Sequence, residues 1–321
     1  MEPGKTPLVE VNGIYAKLEC ANPCGSIKDR IAKYIIDESE RKGLLKPGQK
    51  IVEASSGNTG ISLTYFAAQK GYEITIVMPE NMTEERKKII RDFGGNLILC
   101  SAGDFAQAAS IRDKMAEDPQ YFNTDQFSNP LNVECHEKTT AQEILTQIKP
   151  FANKVDAFVA GVGTGGTLIG VAKALRKVNP KVHIVAVEPT ESAVMSGGEP
   201  GLHTIPGIGD GFIPAIASDG KGGLHEYIDE VICISSEDAK SAALEILDKS
   251  NLCVGISSGA NYLAALELKK RFNTVVTVFP DGFSKYQSHG LKCCEEGTCE
   301  FEDKNRAIFA YYKSNFETNQ P

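Results

Sequence analysis

The sequence predicts an α/β protein of two lobes, each a mostly parallel sheet covered by helices, and three observations carry that prediction. Short β-rich apolar runs alternate with longer amphipathic stretches. The runs fall into one group before about residue 130 and another after about residue 150. Each run tends to pass to its helix through a loop of Gly, Ser, Thr or Asn, which is where open α/β sheets bind ligands.

In order along the chain, strands are expected at Ile51-Val52, Ile74–Val77, Leu97–Leu99, Ala157–Val159, Val182–Val187 and Thr274–Phe279. Helices are expected near residues 26–41, 58–70, 84–93, 105–116, 165–177, 237–249 and 258–270. A Pro- and Gly-rich stretch from Pro189 to Gly223 lies late in the second group, with no internal repeat or low-complexity linker. A chain of 321 residues, 41% apolar and 24% charged, can bury a substantial core and suits about two domains.

Several function classes are disfavoured. The first ten residues lack a basic segment backed by an apolar run, and no apolar stretch approaches the ~18 residues a membrane span needs. The net charge of −8 is dispersed, and no Lys/Arg run sits among aromatics, so no nucleic-acid partner is expected and a small-molecule ligand fits better. Nine cysteines, an odd number in a chain too long to need staples, read as reduced thiols in a cytoplasm. Cys293, Cys294 and Cys299 cluster beside His289, but without a CxxC pair a plain acidic tail is favoured and no metal is expected.

Three motifs carry chemistry. Gly163-Thr164-Gly165-Gly166-Thr167 follows an expected strand and opens a helix, so amides and two hydroxyls gather where a phosphate monoester can bind. Read from Gly161, the same residues spell G-x-G-x-x-G with Glu188 at the end of the next strand, the spacing of a dinucleotide site; a merely tight turn is the third reading. Asn22 to Arg30 places a turn and a Ser26 cap before a helix with Lys28 in its first turn. There the helix dipole favours the neutral amine that Schiff-base chemistry requires, against the plain alternative of a surface lysine. Ser55-Ser56-Gly57-Asn58-Thr59-Gly60 follows a strand and opens a helix, forming either a carboxylate cradle or ordinary capping.

These pieces in this order, joined by Gly255-Ile-Ser-Ser-Gly259, resemble the cysteine synthase and cystathionine β-synthase family of pyridoxal-phosphate (PLP) enzymes. Gln126-Phe-Ser-Asn-Pro, His136-Glu-Lys-Thr-Thr and Glu191 to Gly198 are similar as well, and the likeness runs from Thr6 to about Tyr286. It implies that Lys28 forms the Schiff base and shuttles the Cα proton, that Asn58 bonds the ring hydroxyl, and that Gly163, Thr164, Gly165, Gly166 and Thr167 hold the phosphate. Ser257 would face the pyridine nitrogen, and Ser55, Ser56, Thr59 and Gln126 would receive the substrate carboxylate. The reaction implied is β-replacement or β-elimination on O-acetylserine or cysteine through an aminoacrylate, with sulfide, a thiol or water as nucleophile. The family fold implies an N-terminal lobe near 22–130, a C-terminal lobe of 1–21 plus 131–290, a tail from 291, and commonly a homodimer.

Two departures bear on the nucleophile. Asp210, in Gly207 to Pro214, stands where cysteine synthases usually carry a small apolar residue, and a carboxylate there could activate water and favour release of hydrogen sulfide from cysteine. Phe279-Pro-Asp-Gly-Phe-Ser-Lys-Tyr286 is nearer the cystathionine pattern than the usual cysteine synthase pattern. A dehydrogenase and a non-catalytic binding protein remain the remote alternatives.

Overall fold

The computed structural model describes residues 2–283 together with Tyr286 and Leu291. Its strands are β1 (Leu8–Val11), β2 (Ile14–Leu18), β3 (Lys50–Ala54), β4 (Ile74–Pro79), β5 (Asn96–Cys100), β6 (Tyr121–Asn123), β7 (Ala157–Gly161), β8 (His183–Pro189), β9 (Glu230–Ile234) and β10 (Val275–Phe279). Its α-helices are α1 (Lys28–Arg41), α2 (Asn58–Gln69), α3 (Glu84–Asp92), α4 (Phe105–Ala116), α5 (Pro130–Lys138), α6 (Thr140–Gln147), α7 (Gly166–Val178), α8 (Ser236–Ser250) and α9 (Ile256–Lys269).

The strands form a four-stranded sheet, β5-β4-β3-β6, and a six-stranded sheet, β1-β2-β10-β7-β8-β9. Every pairing is parallel except β1 with β2. β4 and β10 are buried at every residue, which explains why they read as unbroken apolar runs. No described helix is long and apolar enough to cross a membrane.

Four strands and two helices were not anticipated. β1 and β2 make a hairpin whose turn residues, Asn12 and Gly13, have φ of +51° and +76°; Asn-Gly is the favoured pair for such a turn. β2 then pairs with β10, Tyr15 against Val276, so the amino-terminal hairpin completes a sheet built from the other end of the chain. β6 is short, and β9 lies at an edge with no fully buried residue, so neither gives an apolar run. Before α5, the Asn129 side chain accepts from Leu131 N at 3.0 Å and Pro130 takes the first helical position, where its missing N–H costs nothing.

One expectation is refined and one is corrected. Ile27 directly precedes α1 and has no side-chain cap bond, while the expected Ser26 hydroxyl one residue back accepts from Lys28 N at 3.3 Å. Ile27 N donates to Pro280 O at 2.8 Å and Ser26 is bridged to Asp281, so the helix start is also held by that distant segment. Nor are all the cysteines reduced. Cys100, Cys135 and Cys233 carry free thiols, whereas Cys253 is disulfide-bonded. The Cys293, Cys294 and Cys299 cluster lies outside the described residues.

A buried ionic cluster anchors α1. Arg30 pairs with Glu19 at 2.6 Å and Glu143 at 2.8 Å, and Lys17 pairs with Glu143 at 2.6 Å. Burial pushes the Glu143 carboxyl up, but hydrogen bonding and charge from Arg30, with help from Lys17, outweigh it and hold the group at about 2.

Candidate functional site

Lys28 is the first residue of α1, and its side chain faces a pocket that Asn58, Gly163, Thr164, Gly165, Thr167 and Ser257 also line. Its ammonium makes no hydrogen bond or ion pair with any described residue. Burial pulls its pKa below the ordinary lysine value, while Asp210 and Asp281 pull it the other way. The arrangement is a lysine prepared to act as a neutral nucleophile or base.

On the opposite side of the pocket, β7 runs into Gly163–Gly165 and then α7. Gly165 adopts a left-handed conformation, φ +84°, that sets the turn into the helix. A Cβ on Gly163 would lie 2.3 Å from Gly207 O, so no other residue lets these two backbones approach so closely. The amides of Gly163, Thr164 and Gly165 find no acceptor among the described residues. Together with the helix amino terminus they form a cradle for a tetrahedral anion. Behind it, Thr167 Oγ1 lies 3.3 Å from Nε2 of buried His136, whose Nδ1 lies 2.9 Å from Thr140 Oγ1. Burial, reinforced by Lys28 and Arg30, keeps that imidazole neutral well below its usual pKa.

The residues expected to receive a carboxylate come together beside the pocket lining. Ser55 Oγ accepts from Gly60 N at 3.0 Å, and Thr59 Oγ1 donates to Gln126 Oε1 at 2.7 Å. Ser56 is half-buried in the same loop. Asn132, unanticipated, ties this group to the cradle: its Nδ2 donates to Gln126 O and to Thr164 Oγ1, both at 2.9 Å. Gly166 is not in the pocket lining but packs on Asn132, where a Cβ would lie 1.9 Å from Oδ1. Glu53, also unanticipated, is buried in β3 and accepts from Thr124 Oγ1 at 2.5 Å and Gln126 N at 3.1 Å.

Asp210 sits in a segment tied to the cradle by Gly209 N donating to Val162 O at 3.0 Å. One of its oxygens would be 3.8 Å from a Cβ on Gly163. Asp210 is exposed and is not among the residues lining the pocket that Lys28 faces. The protein packed around its carboxyl raises it above the usual range, against the opposing pull of Lys28 and His203.

Residues 1–281 match the family described as pyridoxal-phosphate dependent enzyme. The chain belongs to that family. Among curated relatives, a cysteine synthase of Staphylococcus aureus is 42% identical over 300 residues, 90% of this chain and 94% of that protein. Among solved structures, a cysteine synthase of Entamoeba histolytica superposes with a TM-score of 0.84 at 37% identity, covering 98% of this chain and 94% of the other. A hydrogen sulfide-producing enzyme of Fusobacterium nucleatum gives 0.83 at 38%, covering 95% and 93%.

For a pyridoxal-phosphate dependent enzyme the dinucleotide reading of Gly161 to Gly166 falls away, and the geometry gives the reason. Glu188, which would have to reach a ribose, is buried and already accepts from Met195 N at 2.8 Å and Ser196 N at 2.9 Å. Its carboxylate organises the loop after β8 instead.

Proposed function

We propose that this enzyme catalyses β-replacement or β-elimination on a small amino acid, O-acetylserine or cysteine, forming cysteine or releasing hydrogen sulfide. The observation that carries the proposal is the unpaired Lys28 ammonium facing, in one pocket, the empty-handed amides of Gly163–Gly165. Those groups fit pyridoxal phosphate: a glycine-walled cradle suits a phosphate monoester, and a lysine made easy to deprotonate suits an aldehyde.

Gly163, Thr164, Gly165, Gly166 and Thr167 would hold the phosphate, Asn58 the ring hydroxyl, and Ser257 the pyridine nitrogen. Lys28 would attach the cofactor through Nζ. When bound, the cofactor supplies an electron sink next to the substrate Cα. Ser55, Ser56, Thr59 and Gln126 bind the substrate carboxylate and so aim the Cα–H bond at Lys28. Lys28 Nζ would take the Cα proton while the Cβ substituent departs. Asp210 then selects the nucleophile: by accepting a proton from water it favours serine and hydrogen sulfide from cysteine, and its charge opposes incoming hydrosulfide.

The functional unit we infer is a cytoplasmic homodimer, with residues 22–130 as one lobe and 1–21 plus 131–290 as the other. Side-by-side product assays with O-acetylserine plus sulfide, cysteine alone, and cysteine plus a second thiol test the reaction. Absence of the yellow colour of a lysine-bound cofactor, with no product in any assay, would refute it.

A further inference from the structure

Asp281 was not a candidate from its sequence position, yet it faces the pocket with a buried carboxylate. It follows β10 in a short bridge to Ser26, and Gly255 N donates to its carbonyl at 2.9 Å. Its residue exposure is 1%. Oδ2 accepts from Asn58 Nδ2 at 2.7 Å and from Tyr286 OH at 2.5 Å, whereas Oδ1 is buried without a hydrogen-bond partner among the described residues. Gly255 makes room for that oxygen: a Cβ there would lie 2.0 Å from Oδ1.

A buried acceptor left unsatisfied costs about 1–3 kcal/mol, more for a charged group, so it is retained only where something else uses it. Here the carboxylate does two things at once. Its bond to Asn58 fixes which way that amide turns, holding the nitrogen on the Asp281 side. Its negative charge acts on the Lys28 nitrogen in the same pocket, together with Asp210; among the described residues, the other charged or titratable groups near this cluster are His136, Tyr286 and Arg86. Burial, and then the neighbouring Asp281, keep the Tyr286 hydroxyl protonated and therefore donating.

We propose that Asp281 is a positioning residue that keeps the proton on the Lys28 nitrogen when the cofactor is attached, through its charge and through its hold on Asn58. This rests on the assignment of Lys28 as the attachment point. A protonated link is the more electrophilic one, so Asp281 would favour exchange of Lys28 for the amine of the incoming substrate. The sign follows from Coulomb's law: an anion beside a cationic nitrogen raises its proton affinity, and neutralising that anion lowers it.

The test uses full-length wild type, Asp281→Asn and Asp281→Ser loaded with pyridoxal phosphate. Borohydride reduction and peptide mass locate the attachment, and the visible band is titrated over the range from roughly pH 5 to 12. Both variants should still attach the cofactor at Lys28, with a titration midpoint lower than wild type by about one pH unit, roughly a tenfold loss of proton affinity. Superimposable titrations, including bands that do not change anywhere in the range, would overturn the proposal while leaving the Lys28 assignment intact. Failure of wild type to attach the cofactor at Lys28 would instead overturn that assignment, and this proposal with it. For a variant that does not load, trace acetylation of Lys28 in the cofactor-free protein supplies the same comparison. A downward shift of its pH profile is expected, and an unchanged profile counts against Asp281.

Discussion

Gly166→Ala drives a single methyl into Asn132, and its magnitude follows from what that side chain holds. The new Cβ would lie 1.9 Å from Asn132 Oδ1 and 2.4 Å from Cγ, so one of the two must yield. If the asparagine swings away it forfeits its bonds to Gln126 O and Thr164 Oγ1, each about 1 kcal/mol. If it stays, the overlap costs about 1–3 kcal/mol of strain. Either route comes to about 2 kcal/mol, and the first also loosens both the phosphate cradle and the carboxylate loop. Denaturant unfolding of the cofactor-free protein should report that loss, and equilibrium dialysis should report cofactor affinity weakened by about thirtyfold. Asn132→Ala removes the same two bonds and opens the space the methyl needs. The double variant should therefore cost about 2 kcal/mol rather than the sum of about 4, a coupling that a double-mutant cycle reads directly. Strictly additive costs, or a Gly166→Ala protein as stable as wild type, would refute the reasoning.

Three further outcomes are expected. Lys28→Ala should fold and bind pyridoxal phosphate non-covalently, but lose turnover by at least about a thousandfold; steady-state assays near wild-type rate would reassign the attachment point. Asp210→Asn should lower hydrogen sulfide release from cysteine by about 10²-fold or more while sparing cysteine formation from O-acetylserine; equal effects on the two would remove Asp210 from nucleophile selection. Glu143 has a folded pKa of about 2 against an ordinary 4.5, so its stabilisation is fully present above pH 4.5 and is lost as the pH falls toward 2. Glu143→Gln should flatten that part of an acid-unfolding curve and, by removing the carboxylate partner of buried Lys17 and leaving Arg30 with Glu19 alone, lower stability at neutral pH by about 3 kcal/mol.

The parts of the site that were legible in the sequence are those whose chemistry is local. A strand ending in glycines that open a helix announces its own use, and Lys28 at a helix start does the same. Asp281 gave no such signal, because its meaning depends on Asn58, 223 residues away in the chain. Asn132 and Glu53 were equally hidden: nothing near either residue indicates that it supports Gln126. The strands show the same division. β4 and β10, buried throughout, were read directly, while β9 is half-buried at an edge and gave no periodic pattern. The β1–β2 hairpin could have been read from Asn12-Gly13, but Glu10 and Lys17 interrupt the continuous apolar runs by which the other strands were recognised. Lys17 is fully buried there with its ammonium held by Glu143 and Thr6, and no local pattern predicts the Glu143 contact.

The pairing of β2 with β10 and the bridge from Ser26 to Asp281 also govern when the enzyme can come into being. During synthesis Lys28, the proposed attachment point, leaves the ribosome early, but Pro280 and Asp281, which seat its helix, are encoded more than 250 residues later. At about 5–20 residues per second, Lys28 waits roughly a quarter of a minute to a minute before its pocket has a floor. Throughout that interval it is an ordinary solvated lysine, without the burial that makes it reactive. With Lys28 in its proposed role, acquisition of the cofactor would then be a late event, and a nascent chain stalled before Val275 would lack the segment that seats α1.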